Sequence, residues 1–205
     1  MLAPREADGV TRGHGFDKAR PSLKGTMIFG FFSRNRRRRA IATLYARVAT
    51  AARMPALYTS LGVPDTLEGR FEALSLHVIL AIRQLHKLPP PAADVAGDLT
   101  DAFFRDLDAS LREMGVGDVT VPKRMKRLAE SFFGRVRAYG NALDAGDEAS
   151  LAAALGRNVR GVEAPAHDLA RYVMVAERDL AELDLAAFLE RGPTFPQSST
   201  LEEMP

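Results

Sequence analysis

The 205-residue sequence contains no cysteine. The chain therefore has no disulfide framework, no thiolate nucleophile and no cysteine-based zinc site. Long apolar runs are also missing: the longest, at residues 74–82, is about half as long as the roughly 18 residues that a membrane-spanning helix requires. With 46% apolar and 26% charged residues, the composition predicts one globular domain with a substantial core.

Metal-binding patterns are absent as well. The four histidines form neither an H-x-x-x-H nor an H-E-x-x-H pair, so a zinc site is not indicated. Three aspartates on one predicted helix, Asp101, Asp106 and Asp108, suggest a metal site at first sight. Arg105 follows Asp101 by four residues, however, which favours local ion pairing on a solvent-exposed face. His77, next to the apolar face of its helix, is interpreted as a hydrogen-bonded residue of the core or of its boundary.

Motifs of catalysis and nucleotide binding are equally lacking. The sequence has no G-x-S-x-G and no G-x-x-x-x-G-K-[ST]. "GVGD" at residues 115–118 begins like a dinucleotide fingerprint, but no strand precedes it and no third glycine follows. We therefore predict no catalytic residue, no metal ligand and no cofactor, and we expect the protein not to be an enzyme.

The sequence does contain helical periodicity. From Ile41 onward, apolar residues recur at spacings of three and four, whereas "DVTV" is the only alternating β-branched run. This pattern predicts an all-α fold, a single-domain bundle of about six or seven helices. Asp65, followed three residues later by Glu68, predicts the N-cap of one helix, and Gly115 predicts the end of another.

The two ends of the chain differ from this middle part. Residues 1–33 are predicted to be a disordered or flexible segment without a signal or transit peptide, and Met27 is a candidate native start. Residues 34–192 are predicted to form the helical domain, and residues 193–205 a flexible tail.

The stretch "SLREMGVGDVTVPKRMKRL" at residues 110–128 predicts a built junction between two helices. Gly115 closes the first helix, Gly117 and Asp118 favour a second tight turn, and Pro122 suits the first turn of the next helix. Apolar residues gather on one side of that helix: Met125, Leu128, Phe132, Val136, Tyr139 and Leu143. Basic residues are assigned to the other side: Lys123, Arg124, Lys126, Arg127, Arg135 and Arg137. The junction thus fixes the angle of a cationic helix, which we interpret as a docking surface; a simply solvent-exposed face is the alternative.

An arginine tract, "RNRRRR", follows the apolar segment "MIFGFF". Apolar and basic residues side by side suit insertion at an anionic membrane interface or contact with another polyanion. A simply solvent-exposed chain end is the alternative. The predicted contact residues are Phe31, Phe32, Arg36, Arg37, Arg38 and Arg39.

Two long segments, at residues 44–80 and 101–139, resemble the ubiquinol–cytochrome c chaperone family. They include "LGVPDTLEGRFEALSLH" and "DLDASLREMGVGDVTVPKRMK", and the similarity extends from Ile41 to Arg160. The resemblance implies a non-enzymatic assembly chaperone that binds newly made cytochrome b and promotes assembly of ubiquinol–cytochrome c reductase, complex III. The alternative is a ribosome- or RNA-associated basic helical module without preference for a nucleic acid sequence.

The resemblance also implies partners and a location. A second assembly factor and the ribosome are expected partners besides cytochrome b, with peripheral contact to an anionic membrane. We expect a bacterial source and a cytoplasmic location at the inner membrane, or the mitochondrial inner membrane and matrix in a eukaryote. The predicted partner-binding residues are Arg112, Glu113, Gly115, Gly117, Asp118, Pro122, Lys123, Arg124, Lys126 and Arg127.

Overall fold

The computed structural model describes residues 34–196. Within this range the chain forms eight α-helices and one π-helical turn, and no strand. The helices are α1 (Arg34–Ala51), α2 (Pro55–Thr59), α3 (Leu67–Lys87), α4 (Ala92–Glu113), α5 (Val121–Ala145), α6 (Glu148–Leu155), α7 (His167–Ala181) and α8 (Leu185–Glu190), with the π-helical turn at Gly156–Arg160. Six of these α-helices have eight or more residues, so the all-α prediction is confirmed. The predicted flexible segment 1–33 lies outside the described residues, as does the tail from residue 197.

Helix α3 occupies the centre of the bundle. Within the apolar run at residues 74–82, residues 75–82 are all buried. The reason is that α3 packs against α1, α4, α5 and α7. A helix that is apolar around most of its circumference needs such neighbours on all sides. Among the helices between residues 34 and 196, none combines the length and hydrophobicity needed to cross a membrane.

The start of α3 differs from the prediction. Thr66, with an extended backbone, is the N-cap, and its side-chain oxygen accepts a hydrogen bond from the Gly69 amide at 3.1 Å. Asp65 instead accepts a hydrogen bond from Arg70 Nε at 2.7 Å. The prediction of Asp65 as N-cap was therefore wrong by one residue. Both residue types are good caps, and only the backbone conformation decides between neighbours.

His77 is a fully buried residue of α3, as predicted. Its Nδ1 lies 2.7 Å from the Ala73 carbonyl oxygen and its Nε2 lies 2.6 Å from the Tyr172 hydroxyl. Because a carbonyl only accepts, Nδ1 carries the proton and Nε2 accepts from Tyr172. The ring of Phe195, beyond the predicted end of the domain at residue 192, lies 4.6 Å from the His77 ring and is also buried.

Candidate functional site

The acidic residues of α4 do not converge on a common point. In the described part of the chain, no three histidine or acidic side chains are placed to hold a metal ion. Asp108 accepts a hydrogen bond from Arg112 Nε at 2.8 Å, which matches the predicted local ion pairing. Arg105, however, donates to the backbone carbonyl of Asp101 at 3.1 Å, so the predicted ion pair between these two side chains was wrong.

A cavity of about 930 Å³ opens beside the predicted junction. It lies between the residues that follow α1, helix α2, the first half of α3, the second half of α4 and the first half of α5. We call it the α3–α5 groove. Its floor consists of Phe71, Leu74, Leu107, Leu111 and Leu128, and its rim includes Arg53, Leu67, Glu68, Met114, Arg124 and Arg127.

The groove lies where the apolar faces of α4 and α5 are no longer in full contact with each other. In the middle of α4 and α5, Phe103 and Phe132 are fully buried, with ring centroids 5.0 Å apart. Closer to the junction, Leu107 of α4 and Leu128 of α5 are only partly buried. Met114, the last apolar residue of the α4 stripe, is 49% exposed. These stripe residues therefore line an open surface at this end of the helices.

Charged side chains surround this apolar floor, and several of them are paired. Asp65 is bonded to Arg70, and Asp106 accepts a hydrogen bond from the Tyr45 hydroxyl at 2.6 Å. The guanidinium groups of Arg53, Arg124 and Arg127 make neither a hydrogen bond nor an ion pair with any residue of the 34–196 segment. The carboxylate of Glu68, also on the rim, likewise makes no hydrogen bond or ion pair within that segment. Asp106 also keeps its negative charge, because a tyrosine hydroxyl is neutral, so three uncompensated arginines face two uncompensated carboxylates and the lining has a small positive excess.

Glu72, which lines the α3–α5 groove, forms a buried ion pair there. Arg135 Nη2 donates to Glu72 Oε1 at 2.6 Å, and the two side chains are only 14% and 10% exposed. Burial raises the pKa of Glu72 to about 7, while the Arg135 guanidinium acts to lower the pKa. The assignment of Arg135 to the outer, cationic side of α5 was wrong. It follows Leu128 by seven residues and precedes Tyr139 by four, which places all three on the inner face.

All ten predicted partner-binding residues are exposed, but they do not form one surface. Only Arg124 and Arg127 line the α3–α5 groove. Arg112 bridges two carboxylates, with Nε 2.8 Å from Asp108 Oδ2 and Nη1 2.5 Å from Asp118 Oδ1. Arg112 and Asp118 thus tie the end of α4 to the turn, which supports the shape of the junction.

The arginine tract opens α1. Arg37 is bonded to Asp98 of α4, whereas Arg38 and Arg39 are exposed. Phe31 and Phe32, the apolar part of the predicted membrane contact, lie outside the described residues. Among the side chains of this tract that the structure describes, residues 35–39, none lines the α3–α5 groove.

No sequence pattern indicated the α3 side of the groove. Leu67, Phe71 and Leu74 are spaced by four and three residues, as on the apolar face of a helix, yet Leu67 is 60% exposed and the other two are partly exposed. Periodicity identifies the apolar face of a helix but does not tell which part of that face another helix covers.

Known proteins are similar to the part of the chain that contains the α3–α5 groove. A family model described as ubiquinol–cytochrome C chaperone matches residues 59–195, which include α3, α4 and α5. The crystal structure of the Cbp3 homolog from Brucella abortus is similar, with a TM-score of 0.72 and 40% sequence identity over 82% of this chain and 92% of that chain. Comparison with curated proteins gives no match.

Proposed function

We propose that this chain, which belongs to the ubiquinol–cytochrome c chaperone family, promotes assembly of complex III by holding newly made cytochrome b. The observation that carries the proposal is the α3–α5 groove, an open apolar surface within the part of the chain that matches the family model. Concave sites lined mainly by apolar side chains with a few polar groups are typical of binding sites. An incompletely assembled membrane protein offers apolar segments that require such a surface.

The groove can hold a partner without any chemical step. Its floor offers apolar side chains, and its rim offers the guanidinium groups of Arg124 and Arg127. Met114 at the rim is flexible and polarizable, which suits contact with several different apolar side chains. Such contacts are individually weak and reversible, as required of a chaperone that later releases its client.

A second candidate, binding to the ribosome or to RNA, is favoured by the outer side of α5. Lys123, Lys126 and Arg137 are exposed there, and they lie outside the groove. Positive charge of this kind supports electrostatic, salt-dependent binding to a polyanion.

Deletion of the gene, followed by a haem-stained profile of membrane cytochromes, tests the proposal. We expect selective loss of complex III, because cytochrome b without its chaperone is not assembled. A tagged chain should also recover cytochrome b peptides from membranes at moderate salt. An unchanged cytochrome profile would contradict the proposed function, and recovery of ribosomal proteins alone would favour the second candidate.

A further inference from the structure

Two matching rows of apolar side chains run along the α3–α5 groove, each from its floor to its rim. Leu67, Phe71 and Leu74 follow one another at spacings of four and three on α3. The second row, on α4, has the same spacing: Leu107, Leu111 and Met114. The first and last residues of each row are seven positions apart, which corresponds to about 10 Å along a helix. Two such rows offer contacts over roughly two turns of a helix laid between them.

The described residues favour a helix as the occupant over an extended peptide. An extended peptide usually binds by adding a strand to an exposed sheet edge, and residues 34–196 contain no strand. A groove between helices instead accepts apolar side chains at i, i+3, i+4 and i+7 of an amphipathic helix. The spacing of the two rows matches that pattern.

The unpaired arginines on the rim indicate which polar groups a helix bound in the groove should carry. Arg124 and Arg127 are three residues apart on α5 and therefore lie on one side of that helix. Arg53 lies in the turn that follows α1 and also lines the groove. None of the three has a hydrogen-bonding or ion-pair partner within residues 34–196. Carboxylates on the occupant would satisfy them through charge-assisted hydrogen bonds.

We propose that the α3–α5 groove binds an amphipathic helical segment of the client, with one apolar face and carboxylates along its flanks. The apolar face packs between the two rows of apolar side chains. The carboxylates meet Arg53, Arg124 and Arg127. The assignment of this segment to a client rests on the proposed function, whereas the chemistry of the segment rests on the groove alone.

A synthetic peptide tests the chemistry directly. The probe is a fluorescent helical peptide with leucines on one face and glutamates along both flanks, and its binding to the purified full-length chain is followed by anisotropy. We expect saturable binding that weakens as salt rises. Replacing the glutamates by lysines, or the leucines by serines, should each weaken binding about tenfold or more. Equal affinity for the glutamate and lysine peptides would overturn the charge assignment.

Two double variants locate the binding site. R124E/R127E reverses two rim charges and should weaken binding of the leucine–glutamate peptide about tenfold or more. K123E/K126E makes the same charge change on the same helix, but at exposed residues outside the groove, and should change binding less than about threefold. Equal loss in both variants would show binding to the general charge of α5 and overturn the proposal.

The apolar contact has its own variant. L67S changes a side chain that is 60% exposed, so the fold should tolerate it. The substitution should lower the affinity of the chain for the leucine–glutamate peptide about threefold or more. Thermal unfolding of the variant, measured alongside, checks that it is folded. Unchanged affinity of folded L67S would contradict binding in the groove.

Expression of a groove variant and a control variant in the deletion strain separates this inference from the proposed function. We expect R124E/R127E to restore complex III poorly, and R157E/R191E, which reverses two exposed charges outside the groove and outside the predicted partner-binding residues, to restore it. Full restoration by R124E/R127E would overturn the groove as the client site and leave the proposed function intact. If deletion itself leaves complex III unchanged, the proposed function fails, while the peptide experiments still decide what the groove binds.

Discussion

His77 lies in the most buried part of α3 and has both ring nitrogens hydrogen-bonded, one to the Ala73 carbonyl and one to the Tyr172 hydroxyl. A neutral imidazole satisfies this arrangement because it has one donor and one acceptor. A protonated imidazole would have two donors and a charge in an apolar environment, where charge is strongly disfavoured. Burial accordingly lowers the pKa of His77 to about 4.

This low pKa predicts a pH dependence of stability. Between the ordinary pKa of 6.5 and the folded-state pKa of about 4, the unfolded chain binds more protons at this residue than the folded chain. His77 therefore contributes fully above pH 6.5, and its contribution of about 3 kcal/mol is lost as the pH falls toward 4. Urea unfolding of the wild-type chain and of H77Q between pH 4 and 7 measures this contribution. The difference in unfolding free energy between the two should shrink toward low pH.

Tyr172 supplies a matched control for that prediction. Y172F keeps the buried imidazole but removes the hydroxyl that donates to Nε2. The variant should be less stable at neutral pH by about 1–3 kcal/mol, because a buried acceptor loses its partner. It should retain the pH dependence of the wild-type chain. A constant difference between wild type and H77Q over this pH range would contradict the assignment to His77.

At the scale of elements, the junction between α4 and α5 depends on one backbone conformation. Gly115 has φ +77 and follows the C-cap residue Met114. Gly117 lies two residues on without a positive φ, and its carbonyl accepts hydrogen bonds from the amides of Thr120 and Val121. A methyl group added at either glycine would meet no neighbouring atom within 4 Å. The two positions therefore differ in backbone conformation and not in available space.

Alanine at these two glycines should consequently have different effects. G115A should lower the free energy of unfolding by about 1–2 kcal/mol, because an L-residue is disfavoured in the left-handed region. G117A should change it by less than about 0.5 kcal/mol. Urea unfolding of both variants checks the prediction. A similar cost at both positions would show that the left-handed conformation of Gly115 is not what closes α4.

At the scale of the whole molecule, the net charge is only +2, but exposed basic residues concentrate on α5 and at the start of α1. The α1 tract is a candidate contact for an anionic membrane. Arg37 is already bonded to Asp98, whereas Arg38 and Arg39 are exposed. We therefore expect the affinity of the tract for a membrane to depend on Arg38 and Arg39. Contact of this kind is expected to be weak and sensitive to salt.

Co-sedimentation with lipid vesicles tests this membrane contact. The full-length chain should bind anionic vesicles more than neutral ones, and R38E/R39E should weaken that binding roughly fivefold or more. K123E/K126E, with the same change in net charge, is the control and should have a smaller effect. Equal binding to anionic and neutral vesicles would remove the membrane hypothesis.

The sequence by itself determined the helices, the lack of thiol chemistry, the buried His77 and the closure of α4 at Gly115. These features follow from local rules, namely periodicity, composition and the conformational freedom of glycine. Even so, local rules did not choose between Asp65 and Thr66 as N-cap, because both side chains suit that position.

Only the tertiary structure decided which apolar residues remain uncovered. Phe103 and Leu107 belong to the same stripe of α4, yet the first is fully buried and the second lines the groove. Phe103 is covered by the rings of Phe71 on α3 and Phe132 on α5, and these contacts join residues far apart in the chain. The same reason explains Arg135, whose partner Glu72 is 63 residues away, a pairing that no local pattern encodes.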